Sequence, residues 1–111
     1  MDGEPDTPFQ ITYSKALLDC LRQWAERAKQ VGVLEEVTDA FVAVEHKLAG
    51  EPLAWGEPLR NLRDPSGVMR VAVQGIFGVT YAVYPEKRLV WVTRYRLLPH
   101  HPLGAGPDAC P

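Results

Sequence analysis

Residues 68–96 read Val-Met-Arg-Val-Ala-Val-Gln, Gly-Ile-Phe-Gly, Val-Thr-Tyr-Ala-Val-Tyr, Pro-Glu-Lys-Arg and Leu-Val-Trp-Val-Thr-Arg-Tyr-Arg. Three runs rich in β-branched and aromatic residues are separated by short segments that contain glycine or proline. Such a pattern is typical of antiparallel strands joined by tight turns. The stretch therefore predicts the centre of a β-sheet, and we interpret the upstream residues as a layer that covers one of its faces.

The last of these three strands leaves both of its faces as candidates for the core. Strict alternation puts Val90 and Val92 on one face together with Arg94 and Arg96. The first half of this strand is apolar on both faces, so the pattern leaves its core face open and is consistent with a central position. We expect Arg70, Arg94 and Arg96 to share the basic sheet face that the covering layer leaves free.

Two apolar stripes upstream predict two helices within residues 14–50, because their members recur every three or four residues. Ser14 is a suitable N-cap, and Gly32 and Gly50 are suitable helix terminators. The loop between the helices is short, so they should pack as an antiparallel helical hairpin. The stripes are Leu17, Leu21, Trp24, Ala28 and Val31, then Leu34, Val37, Phe41, Val44 and Leu48.

The remaining segments complete the predicted architecture. Alternating residues at 9–13 predict a short edge strand, and turn-rich residues 51–67 predict a loop. The order β-α-α-β-β-β predicts an α+β fold in which the helical hairpin packs on one face of a four-stranded antiparallel sheet. We predict one domain over 8–99, between a disordered lead-in at 1–7 and a Pro/Gly-rich tail at 100–111.

The charges of the chain are unevenly distributed. The net charge of the 111 residues is -2. Residues 1–57 carry 5 Lys/Arg and 11 Asp/Glu, a balance of -6, whereas residues 58–111 carry 7 and 3, a balance of +4. The helical half is therefore acidic and the sheet half is basic, so one surface can favour a polyanion although the whole chain does not.

Several protein classes are disfavoured by composition. We interpret Cys20 and Cys110 as a buried and an exposed free thiol rather than a disulfide, and they have no zinc spacing. No apolar run approaches the ~20 residues of a membrane span, and the acidic start is unlike a signal peptide, which favours a cytoplasmic protein. His100 and His101 point in different directions on an extended chain, so we predict no metal site and no cofactor.

Six segments of the chain share a pattern with one known family. They are Phe9–Tyr13, Leu48–Pro52, Leu59–Leu62, Met69–Val73, Val79–Val83 and Leu89–Val92. Over roughly residues 8–99 the chain resembles the RelE/ParE superfamily of type II toxin–antitoxin systems, of the plasmid-stabilisation type. The resemblance implies a RelE-like fold and a cognate antitoxin-like partner, a helix or strand of which packs on the toxin.

The resemblance also implies expectations about activity. RelE-type members bind ribosome-bound mRNA on a concave sheet face and cleave it without a metal, whereas ParE-type members act on DNA gyrase. Matching positions imply catalytic roles for Arg70, Arg94, Arg96 and His100, with His101 as the alternative histidine. This chain departs from the RelE-type pattern at Ala72 and Gly78, where basic residues are expected.

Metal-free RNA cleavage needs a base, an acid and a cation for the developing phosphorane charge. In this chain arginines would bind phosphate, and a tail histidine would act as base or acid near neutral pH. A solvated sheet face and a polar tail are the simpler interpretation of the same residues. Further candidates for nucleic-acid binding are Arg60, Arg63, Tyr84, Lys87, Arg88 and Tyr95.

The sequence supports two main hypotheses and leaves enzyme activity open. The first is a RelE/ParE-like toxin-family protein, with a metal-independent endoribonuclease site that is degenerate. The second is a non-catalytic protein-binding module on the same fold, with an antitoxin or gyrase-type partner. An unrelated structural α+β protein remains a third interpretation.

Overall fold

The computed structural model describes residues 8–63, 66–97 and 109–110. The predicted lead-in and most of the predicted tail, including His100 and His101, lie outside the described residues. In chain order the elements are β1 (Gln10–Tyr13), α1 (Lys15–Val31), α2 (Leu34–Gly50), β2 (Glu57–Arg63), β3 (Ser66–Gln74), β4 (Phe77–Tyr84), a 3-10 turn (Pro85–Lys87), β5 (Leu89–Leu97) and β6 (Ala109–Cys110).

The two helices form the predicted hairpin, and the first has the predicted caps. The Ser14 hydroxyl accepts a hydrogen bond from the Leu17 N–H at 3.1 Å, which satisfies one of the free donors at the start of α1. Gly32 ends α1 in the left-handed region at φ 80°, where a residue without a side chain fits best. The α+β class and the helical hairpin are therefore confirmed.

The sheet is mixed rather than fully antiparallel, and it has five main strands rather than four. Their order is β1-β5-β4-β3-β2, and the short strand β6 also pairs with β5. Strand β1 runs parallel to β5, because the two helices between β1 and the later strands act as a crossover. Strand β2 lies within the predicted loop; Pro58 is tolerated there because β2 is an edge strand.

A register shift between β4 and β5 decides which face of β5 is buried. Thr80 pairs with Arg94 and Tyr81 pairs with Val92, so Thr93 is an extra residue in β5. The bulge moves Tyr95 onto the face of Val92 and moves Arg94 onto the opposite face. The prediction that Val90 and Val92 share a face with Arg94 and Arg96 is therefore wrong.

The core lies between the helical hairpin and one face of the sheet. A chain of aromatic rings crosses this layer, with centroid distances of 6.3, 5.8, 5.2 and 5.9 Å between successive rings. Because the rings come from both helices and three strands, they tie the two layers together. In order the rings belong to Tyr13, Phe41, Tyr95, Phe77 and Trp24.

Cys20 and Cys110 form a disulfide, which corrects the prediction of two free thiols. Their Cα atoms are 5.6 Å apart, within the range that a disulfide needs. Cys110 is fully buried because Ala109 and Cys110 pair with Arg96 and Tyr95 of β5. The bond joins residues 90 positions apart, so sequence spacing alone could not reveal it.

The packing of α2 gives a matched stability test. Val44 is fully buried, whereas Val42 on the same helix is 50% exposed. We expect Val44→Ala to lower the free energy of unfolding by about 2 kcal/mol, because it leaves a cavity in the core. Val42→Ala should change it by less than about 0.5 kcal/mol. Denaturant titration measures both values, and equal effects would contradict the assigned helix face.

Candidate functional site

The sheet face opposite the helices (the open face) carries three arginines of the sheet. The cross-strand pairs Arg96↔Gly78 and Arg94↔Thr80 define it on β5 and β4. Across the sheet the pair Arg60↔Met69 brings an arginine of edge strand β2 onto the same face. All three arginines are exposed. The open face therefore presents two arginines on β5 and a third on β2.

An exposed aromatic side chain lies on the same face. Trp91 is 40% exposed and pairs with Ala82. Ala82 is only 2% exposed although it lies outside the core cluster, and its cross-strand partners are the larger residues Met69 and Trp91. The sequence did not single out Trp91, since strict alternation put it on the same face as Tyr95. The bulge at Thr93 puts Trp91 and Tyr95 on opposite faces, and no pattern of residues in the sequence predicts that bulge.

Arg70 does not lie on the open face. It pairs with Tyr81 on the helix-covered face. Its Nε donates to the carbonyl oxygen of Trp55 and its Nη2 donates to that of Gly56, both at 2.9 Å. The expectation that Arg70, Arg94 and Arg96 share one surface is therefore wrong, because the register of β3 turns Arg70 inward.

Arg70 and Tyr81 together fasten the loop that precedes β2. The Tyr81 hydroxyl lies 2.9 Å from the carbonyl oxygen of Pro52 and 2.6 Å from that of Trp55. Gly56 in this loop has φ +74°, and a Cβ there would clash with the Val71 carbonyl. The loop therefore approaches the sheet closely, and Arg70 and Tyr81 together supply donors to its buried carbonyl groups.

The other residues predicted to bind nucleic acid do not lie together on one surface. Tyr95 is fully buried in the core and cannot stack on a base, which corrects that prediction. Tyr84 is half-buried. The Arg88 guanidinium lies 4.4 Å from the centroid of the Phe9 ring, a cation–π contact beside the beginning of β1. Arg63 and Lys87 are exposed, and Arg63 lies on the opposite side of β2 from Arg60.

Three buried or half-buried tyrosines lie on the helix side of the sheet. The Tyr13 hydroxyl donates to Glu45 Oε2 at 2.8 Å. Burial raises the pKa of Tyr13 and of Tyr95 well above the ordinary value of about 10. Burial also raises the pKa of Tyr81, and the nearby Arg70 guanidinium partly offsets that rise. These three side chains are therefore neutral near pH 7.

The tyrosines make stability dependent on alkaline pH. Their folded-state pKa values lie above the unfolded value of about 10, so their contribution is complete below pH 10 and is lost as the pH rises further. We expect three of the four tyrosines to ionise only as the chain unfolds. Phenolate absorbance and circular dichroism, followed over one alkaline titration, should report coincident transitions. Full ionisation of a folded chain would contradict this.

A second candidate site is a groove between the two helices (the hairpin groove). It encloses about 270 Å³, slightly less than a typical small-molecule pocket of about 300 Å³ or more. Its walls are almost entirely apolar, which suits an apolar side chain of a partner better than a polar substrate. The lining residues are Leu18, Leu21, Arg22, Trp24, Ala25, Val37, Thr38, Phe41 and Phe77.

No family model, curated protein or solved structure matches this chain. None of the helices in the described residues is long and apolar enough to span a membrane. The same part of the chain holds no group of three or more His, Cys, Asp or Glu residues arranged to hold a metal ion.

Arg70 is hydrogen-bonded to a loop whereas Arg94 is exposed, and this difference gives a stability test. Arg70→Met removes two hydrogen bonds to loop carbonyls and should lower the free energy of unfolding by about 2 kcal/mol. Arg94→Met removes an exposed guanidinium group and should change it by less than about 0.5 kcal/mol. Denaturant unfolding followed by tryptophan fluorescence measures the difference. A stability loss for Arg94→Met as large as that for Arg70→Met would contradict these roles.

Proposed function

We propose that this chain is a RelE/ParE-like toxin-family protein that binds single-stranded RNA on the open face of its sheet. The observation that carries the proposal is the group of three exposed arginines on the face that also holds Trp91. Arginine suits phosphate because its planar fork can donate two parallel hydrogen bonds. An exposed indole gives a base a surface on which to stack, and this works for any base.

The dimensions of the open face suit an extended strand of RNA. Arg94 and Arg96 are two residues apart on β5, so their Cα atoms are separated by about 7 Å. Arg60 lies three strands away, which at about 4.8 Å per strand is about 14 Å. An RNA segment that crosses the strands can therefore contact both ends of this basic surface.

Any RNA cleavage by this chain would use fewer cationic residues than the RelE-type activity that the resemblance implies. The nitrogen atoms of Arg70 that donate hydrogen bonds are used by loop carbonyls on the far side of the sheet. The cations left for a scissile phosphate are Arg94 and Arg96, and the base or acid would come from His100 or His101. We infer that binding is the main activity of the open face and that any metal-independent cleavage by this chain is weak.

RNA binding gives a direct test. Fluorescence anisotropy with a labelled single-stranded oligoribonucleotide measures affinity as the salt concentration varies. Three phosphate contacts predict a slope of log K against log salt of about -2. The double variant Arg94→Ala/Arg96→Ala should bind more weakly and should lose about 1.4 from the magnitude of this slope. Arg60→Ala should lose about 0.7.

Arg63→Ala is the matched control, because Arg63 is an exposed arginine of the same strand as Arg60 but lies on its other side. It should bind RNA as the wild type does. In cells, induced expression should arrest growth, and Arg94→Ala/Arg96→Ala should relieve the arrest. The proposal would be rejected if cells grow normally when the wild-type chain is expressed and if the double variant binds RNA as tightly as the wild type does.

The alternative is a non-catalytic protein-binding module with an antitoxin or gyrase-type partner. The hairpin groove favours it, since an apolar groove between helices can take an apolar side chain of another protein. Leu18 lines the groove and is exposed. If a small protein co-purifies with the chain, and Leu18→Glu releases it while the arginine variants retain it, the alternative holds.

A further inference from the structure

The C-terminal strand β6 closes part of the edge of β5. Strand β1 pairs with residues Leu89–Val92 along that edge, and β6 pairs with Tyr95 and Arg96 farther along it. On its other side β5 is paired with β4. Strand β6 therefore covers main-chain groups of β5 that would otherwise form a free sheet edge.

Strand β6 is too short to hold itself in place. In the part of the chain that the structure describes, β6 pairs through two residues, whereas a typical strand has about 5–6. The covalent bond from Cys110 to Cys20 of α1 supplies the missing attachment. Within the described residues, every other member of the core cluster lies between Phe9 and Leu97, so β6 contributes only Cys110 to it.

We propose that the Cys20–Cys110 disulfide is a redox latch that controls access to the edge of β5. With the bond closed, β6 covers the edge beside Tyr95 and Arg96. With the bond open, β6 leaves, the rest of the domain stays folded, and the N–H and C=O groups of β5 beside Tyr95 and Arg96 become a free sheet edge.

The opening step is a two-electron exchange with a dithiol reductant. A thiolate of the dithiol attacks the sulfur of Cys20, which is half-buried, whereas Cys110 is fully buried. The Cys110 thiolate leaves and takes a proton. The second thiol of the reductant, as its thiolate, then attacks the reductant's own sulfur in the mixed disulfide, and the Cys20 thiolate leaves and takes a proton. The chain thus gains two thiols and the dithiol becomes a disulfide.

Hydrogen–deuterium exchange of the whole chain, oxidised and treated with dithiothreitol, tests the latch. We expect amides of Arg94–Leu97 and Ala109–Cys110 to exchange at least about tenfold faster after reduction. Amides of β4 should exchange as before, and thermal unfolding should remain cooperative. Thiol titration should give no free thiol before reduction and two afterwards.

The variants Cys20→Ser and Cys110→Ser are matched controls, because each opens the bond without reductant. Both should exchange as the reduced wild type does and should not respond to dithiothreitol. Three results would overturn the proposal: unchanged exchange at Arg94–Leu97 after reduction, loss of protection throughout β4, or two free thiols in the oxidised chain. The second of these results would make the disulfide a permanent structural support instead.

Discussion

At Thr93, strand β5 has one residue more than β4, and the Thr93 hydroxyl donates a hydrogen bond to the Thr80 carbonyl oxygen at 3.1 Å. This bulge lets Val92 and Tyr95 both enter the core although they are three residues apart. It also sends Arg94 to the other face. The aromatic core and the basic open face thus depend on the same irregularity, since a regular strand would have put an arginine beneath the helices.

The arginines of the sheet divide between structure and recognition. Arg70 donates to two loop carbonyls and thereby secures the chain between α2 and β2. Arg94 and Arg96 have exposed side chains on the face that no described helix covers. The sequence alone did not distinguish them, because the resemblance to RelE-type proteins implied the same role for all three. The distinction comes from register alone, and it moves the proposed RNA contacts from β3 to β5 and β2.

Local features of the fold were predictable, and features that depend on distant pairing were not. The caps at Ser14 and Gly32 and the two apolar stripes act within a few residues, so the sequence alone revealed the hairpin. The parallel partner of β1 and the bulge at Thr93 arise only when distant segments meet. The disulfide is the extreme case, because it joins residues 90 positions apart and Cys110 lies in a strand that pairs with β5. For the candidate site, residue types were predictable but their grouping was not.

The two borders of the sheet are protected in different ways. Along β2, Pro58 lacks an amide donor, the register shifts near Leu59, and Arg60 and Arg63 add like charges. Along β5, short segments from near the two termini cover the backbone. Within the described residues neither border offers a long, flat row of free amides, the feature that lets sheets of separate molecules join into fibrils. This domain is therefore built to resist growth into amyloid-like ribbons.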